Sequence, residues 1–180
     1  MLKNCVILGK NVLFCGVQKT IFHIMAKILG EFEVTLDPKG RFMLPIGLKK
    51  QLPEGEGSSF VLNRGVEKCL TLYTMKQWEK IEAVILKLND FNDVASKVKR
   101  QLLSGATILE TDAAGRLLIP KSMLAYAGIT KDIVFSAQMN KMEIWDAETH
   151  RKETTIDQAD FKSMVGSVLG SNFLNPFDGE

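Results

Sequence analysis

Two arginines set in two copies of one short phrase are the residues of this chain best placed to do chemistry. TLDPKGRFMLP, residues 35–45, and TDAAGRLLIP, residues 111–120, each read Asp, two residues, Gly, Arg, three apolar residues, Pro, at an offset of 75 positions. Turn chemistry accounts for Asp37, Gly40, Asp112 and Gly115. Asp at the first turn position caps backbone amides, Pro pre-sets the second, and Gly accepts the fourth, so Asp-Pro-Lys-Gly suits a type I turn. Each Asp can also pair with the Arg four residues on. Turn formation does not require Arg after Gly in both copies. Arg41 and Arg116 at the tips of stiff turns suit bidentate recognition of a phosphate or a guanine edge. Lys39, Lys49, Lys50 and Lys121 gather around them and supply phosphate contacts, Lys39 and Lys121 foremost.

Other chemistries have no comparable support. His23 and His150 are the two histidines, which leaves no His-based nucleophile or metal cluster to assemble. No GxxxxGK[ST] or GxGxxG phosphate loop is present. Glu31, Glu33 and Glu110 fall on expected strands, where carboxylates form solvated faces. These observations point away from an enzyme, a cofactor, a metal and a small-molecule substrate.

The elements that must hold the turns repeat with them. Leu44, Pro45 and Leu48 fall opposite Ile119, Pro120 and Met123 at the same offset, while KCLTLYT (68–74) and NKMEIWD (140–146) align at an offset of 72. FEVTLD and ATILETD, each followed by its turn and by RFMLP or RLLIP, form strand, turn, strand elements. Pro45 and Pro120 open short helices, and Gly128 stands where a left-handed C-terminal cap is wanted. After each helix comes a strand pair, SSFVLNR with KCLTLYT and DIVFSAQ with KMEIWD.

Between the units, Trp78, Ile81, Ile85 and Leu88 make one helical stripe. Asn89 to Asp93 break it, and Val94, Val98 and Leu102 continue a second helix to about Gly105. The expected layout is therefore a unit over 31–78, a helical connector over 79–106, a second unit over 107–150 and a C-terminal tail over 151–180. A half of this size cannot bury enough surface alone, so the halves must pair. The expected fold class is α+β, with the two halves joined in a pseudo-two-fold β barrel that sets both turns in equivalent places.

Composition bounds the partners. With 46% hydrophobic and 24% charged residues the chain reads as globular, and no apolar run reaches the length of a bilayer span. Residues 1–24 are apolar with Lys3, Lys10 and Lys19 and no carboxylate. Lys10 and Asn11 interrupt the stretch and no cleavage pattern precedes Met25, so it is expected to be neither a signal peptide nor part of the fold, with Met25 the start. Removing those three lysines takes the formal charge from +2 to −1, so any basic surface must be local. Cys5 and Cys15 lie in that leader. Cys69, in an apolar strand, reads as a small buried hydrophobe and fits a reducing cytoplasm.

LGEFEVTLDPKGRFMLP, its echo ETDAAGRLLIPKSMLAYAGITKDIVFSAQMNKMEIWD and the helical connector resemble the MraZ family of bacterial transcriptional regulators, from about Met25 to about His150. The resemblance implies two tandem SpoVT-AbrB half-domains of the swapped-hairpin β-barrel type. It further implies assembly into a ring-shaped homo-oligomer and a cytoplasmic, nucleoid-associated location. Double-stranded DNA is the implied partner, bound at repeated G-rich boxes upstream of the division and cell-wall gene cluster. Repression of that cluster, including the protein's own gene, follows from the same resemblance. It assigns DNA contact to Arg41, with Arg116 as its second-half equivalent. The second turn carries Ala114 where the first has Lys39, which makes the first turn the stronger contact. The rival reading is a scaffold module in which the same barrel binds a protein and the arginines only pair with Asp.

Overall fold

Alternating apolar residues and turn signals build the chain in two passes over residues 28–170, the span described by the computed structural model. The expectations for residues 1–24 and for the final SNFLNPFDGE lie outside the described residues. In the first pass come β1 (Ile28–Thr35), β2 (Arg41–Met43), α1 (Ile46–Lys49), β3 (Ser59–Arg64) and β4 (Leu70–Thr74), followed by α2 (Met75–Ile85) and α3 (Asp93–Leu103). The second pass repeats the order with β5 (Thr107–Glu110), β6 (Arg116–Leu118), α4 (Lys121–Ala127), β7 (Asp132–Met139) and β8 (Met142–Asp146), then α5 (Ala147–Thr154) and α6 (Gln158–Leu169).

The strands flanking each turn do not pair with one another. A backbone bond from Asp37 N to Arg41 O, 2.9 Å, closes the first turn, after which β1 and β2 separate. β1 joins β7 of the other half, β5 joins β3, and β2 joins β6. All ladders are antiparallel, in a six-stranded sheet ordered β1-β7-β8-β4-β3-β5 and a two-stranded ribbon of β2 and β6. The register respects the internal echo. Phe42 faces Leu117 at the centre of the ribbon and Thr71 faces Glu143 at the centre of the β4–β8 pair, and each couple is related by its own sequence offset. Phe32–Thr35 on Asp132–Phe135 recurs as Thr107–Glu110 on Ser59–Leu62. Exchanging the halves leaves this pattern of partners unchanged.

Between ribbon and sheet lies one apolar core. Phe42, Leu117, Leu44 and Ile119 point down from the ribbon side onto Phe60, Leu62, Leu70, Leu72, Phe135 and Ile144, all buried. Phe42 and Phe135 meet at 5.2 Å between ring centroids. Leu48 of α1 and Met123 of α4 enter the same core, as their shared offset requires. Pro45 and Pro120 each stand one residue before their helix, at ψ 137° and 142°, rather than at its first position. Their extended backbone turns the chain out of β2 and β6 before the helix begins. Gly128 ends α4 in the left-handed region, φ 64°, as expected.

The helices after β4 have a counterpart after β8, across the end of the expected second unit (107–150) and the expected C-terminal tail (151–180). Thr74 caps α2 reciprocally with Gln77, whose backbone N donates to Thr74 Oγ1 at 3.3 Å while Thr74 N donates to Gln77 Oε1 at 2.9 Å. At the equivalent place Asp146 accepts from the backbone amides of Glu148 and Thr149 and starts α5. The stripe Trp78, Ile81, Ile85 and Leu88 is sheltered, with Trp78 against Tyr73 at 5.9 Å. The second stripe is not. Val94, Val98 and Leu102 of α3 remain in solvent, as do Val84, Leu86 and Phe91 nearby, and α3 has no buried residue. Cys69 is 2% exposed, and burial pushes its thiol up to about 11, which makes it the inert apolar filler expected. Among the described residues no helix is long and apolar enough to cross a membrane.

Candidate nucleic-acid interface

Each turn is organised by its aspartate. Asp37 Oδ1 accepts from the backbone N of Lys39 at 2.8 Å and of Arg41 at 3.0 Å, and Gly40 N donates to Asp37 O at 2.9 Å. Asp112 repeats the set, with Ala114 N and Arg116 N each at 2.9 Å and Gly115 N to Asp112 O at 2.8 Å. Both glycines have positive φ, 82° and 74°, where a side chain is strained, so the turn requires glycine in both copies.

The second carboxylate oxygen then takes the arginine. Arg41 Nε and Nη2 both donate to Asp37 Oδ2, each at 2.6 Å, and Arg116 does the same to Asp112 Oδ2 at 2.8 Å. The Asp–Arg pairing of the scaffold reading is therefore present in both copies. It uses one edge of each guanidinium. The edge that carries Nη1 makes no hydrogen bond among the described residues, and the side chains stay about a third exposed, 28% for Arg41 and 35% for Arg116. A fork held on one side by a carboxylate has lost most of its rotamer freedom and still presents donors end-on.

These contacts set the charge states. The Arg41 side chain, and then its backbone amide, hold the Asp37 carboxyl down at about 2. Arg116 lowers Asp112 in the same way, and the hydrogen bond to Asp112 raises Arg116. The charge of Asp37 adds to that rise, so the two turns are electrostatically in reach of each other.

The ribbon brings the pair together. In β2 the inward residue is Phe42 and in β6 it is Leu117, so Arg41, Met43, Arg116 and Leu118 occupy the opposite, outward face. Arg41 stands across from Leu118, and Arg116 across from Met43. The arginines thus share one surface, diagonal to each other about the Phe42–Leu117 centre. Met43 and Leu118, 59% and 50% exposed, complete the block. Sequence reasoning missed these two. Period-two alternation carried a signal for them, but an unbroken apolar triplet conceals which member faces out.

All four lysines are exposed. Lys39 is exposed in the first turn, and Lys121 is the exposed first residue of α4. Ile119 N donates to Gly40 O at 3.0 Å, so the segment leading to Lys121 runs beside the first turn, not the second. Lys49 and Lys50 are exposed at the end of α1. His150 is buried against Trp145 and 3.6 Å from Glu31, and no group of three or more metal-binding side chains occurs among the described residues.

Known proteins are similar to this chain in sequence. A family model described as MraZ protein matches twice, over residues 28–101 and 102–164, so each match takes in one set of strands with the helices that follow it. A protein named transcriptional regulator MraZ from Flavobacterium psychrophilum is 42% identical over 148 residues, covering 82% of this chain and 94% of its own length. One of the same name from Christiangramia forsetii is 36% identical, covering 86% of this chain and 99% of its own. Another, from Cytophaga hutchinsonii, is 35% identical, covering 78% and 93%. The second family match runs past His150 into α6. With a duplicated match across nearly all the described residues, and relatives aligned over most of their length, the chain belongs to the MraZ family.

Proposed function

We propose that this protein is a sequence-specific DNA-binding regulator of transcription, using the outward face of the β2–β6 ribbon. The observation that carries the reading is the register that sets Arg41 and Arg116 on one surface. A two-stranded β ribbon fits the major groove, where an arginine can take a guanine through O6 and N7. Asp37 and Asp112 orient the arginines, and Lys39 and Lys121 contact phosphates. Three relatives are named as transcriptional regulators, which supports the same reading. The exchange of strands between halves supports a swapped-hairpin β barrel as the fold.

One such face binds weakly, since a good bidentate contact is worth about 1–3 kcal/mol. Self-association answers this. The α3 stripe of Val94, Val98 and Leu102, with Phe91 at the preceding turn, is apolar and exposed among the described residues, and a second copy is its proposed cover. Copies closed into a ring would meet repeated boxes at high effective concentration and gain roughly 100-fold or more in affinity. In this reading the targets are boxes upstream of the division and cell-wall gene cluster, the effect is repression that includes the protein's own gene, and the location is the nucleoid.

A second reading has its own observation. The two Asp–Arg ion pairs are what a protein scaffold would show if the arginines served only the turns. Titration of the purified chain onto its own upstream DNA across a salt series separates the two. Groove binding predicts a steep linear fall of log K with log salt and loss of specific binding in Arg41→Ala with assembly intact. Affinity unchanged in that variant at fixed salt would overturn the DNA reading.

A further inference from the structure

We infer that Met43 and Leu118 determine specificity by reading thymine C5-methyl groups between the two arginines. The inference rests on the DNA-binding reading above and adds to it a chemical class of base contact.

The register makes the four outward side chains a compact block. Arg41 lies across from Leu118 and Arg116 across from Met43. Directly opposed side chains on such a pair have Cβ atoms about 4.5–5.5 Å apart. Along one strand, Arg41 and Met43, like Arg116 and Leu118, are two residues apart, roughly 6.5–7 Å. That is about two base-pair steps at roughly 3.4 Å each. Each arginine therefore has an apolar neighbour across the ribbon and another along it, at the spacing of nearby bases.

Among the described residues the packing leaves those apolar groups half in solvent. Phe42 and Leu117, one residue away, are 2% and 0% exposed, whereas Met43 and Leu118 project into solvent on the other face. A lone exposed Leu or Met is ordinary on any protein. Here the apolar choice recurs at the equivalent position of both copies, and both times it sits beside a guanidinium.

Base chemistry supplies the match. In the major groove guanine offers O6 and N7 to an arginine, and thymine alone offers a methyl group. Arginines on the diagonal with apolar side chains at the other corners are complementary to guanines flanked by thymines. Burying Met43 and Leu118 against methyl groups also excludes water from the neighbouring arginine contacts and strengthens them. Leu118 is branched and shape-specific. Met43 is flexible and adapts to a variable neighbour.

The test titrates the full chain with a fluorescent duplex of its own upstream DNA, with the same duplex carrying deoxyuridine for every thymine, and with a scrambled duplex. Loss of a methyl contact is worth roughly fourfold in affinity, so two should cost the wild-type protein about 15-fold on the uridine duplex. Met43→Ala/Leu118→Ala should bind the thymine duplex about 15-fold more weakly, bind scrambled DNA unchanged, and no longer distinguish thymine from uridine. Equal wild-type affinity for the two specific duplexes overturns the inference and leaves the DNA reading standing. A double variant that still prefers thymine by the wild-type factor overturns it also. Wild-type protein that prefers neither duplex to the scrambled one removes the DNA reading and this inference together. The wild-type comparison needs no variant, so a folding defect in the double variant does not decide the outcome. If that variant instead loses assembly while wild type ignores the methyl groups, the apolar corners are an interface between copies and the inference is wrong.

Discussion

The two turns have the same internal chemistry and different surroundings. Asp37 and Asp112 each hold two backbone amides with one oxygen and an arginine with the other, at nearly the same distances. Outside that shell they diverge. Gly40 is buried, its carbonyl accepts from Ile119 N, and a methyl group added to it would meet Leu124 Cδ1 at 3.1 Å and Ile119 O at 3.3 Å. A methyl group added to Gly115 would meet nothing within 4 Å. The motif's hydrogen bonds are thus local and follow from its own residues, while its rigidity is set by what packs against it. The first turn is docked on the second half of the molecule and the second turn stands in solvent.

If the docked turn carries more of the binding, breaking its arginine gives the largest effect. Arg41→Ala should weaken specific DNA binding by about 100-fold and Arg116→Ala by about tenfold, the range open to one bidentate contact. Fluorescence anisotropy at fixed salt reads both. Equal losses would show that docking does not matter to recognition.

A smaller effect tests the packing directly. Ala at either glycine meets the strain of positive φ, about 1–2 kcal/mol, and at Gly40 it also crowds Ile119 and Leu124. Gly40→Ala should cost about 2 kcal/mol in urea unfolding and Gly115→Ala about 1 kcal/mol. A reversed order would contradict the packing difference.

Acid titration sharpens the electrostatic side. A carboxyl depressed from 3.8 to about 2 favours the folded state above its unfolded value, and that contribution fades as pH falls through about 2. NMR should find Asp37 titrating near 2, and in Arg41→Ala it should move back toward 3.8, because the arginine side chain is the largest cause of the shift. An unmoved titration would mean that backbone amides alone hold the carboxylate.

The mildest variant is Lys39→Ala. Removing one phosphate contact should reduce the salt slope of DNA binding by about 1 and weaken all sequences alike. Ala114→Lys, which restores the missing charge to the second turn, should raise the slope by a similar amount, whereas no change would place that turn away from the phosphates.

Legibility followed range. The turns, the short helices, the Gly128 cap and the break between Leu88 and Asp93 depend on residues a few positions apart, and each was readable. α5 and α6 were missed although Asp146 and Asp157 cap them, because their repeat of α2 and α3 is carried by position rather than by residue type. The outward placement of Met43 and Leu118 was hidden by apolar triplets, FML and LLI, in which composition does not distinguish the faces.

By itself the sequence determined the duplication, the two Asp-to-Arg turns and the need for the halves to complete each other, since these follow from local backbone preferences and from the apolar surface a half cannot bury alone. Only the tertiary structure decided that β1 and β2 part after their turn and find partners in the other half, because strand pairing is a long-range choice that alternation does not encode. That exchange put both arginines on one face and docked one turn while leaving the other in solvent, through the packing of Leu124 and Ile119, residues distant in the chain from Gly40.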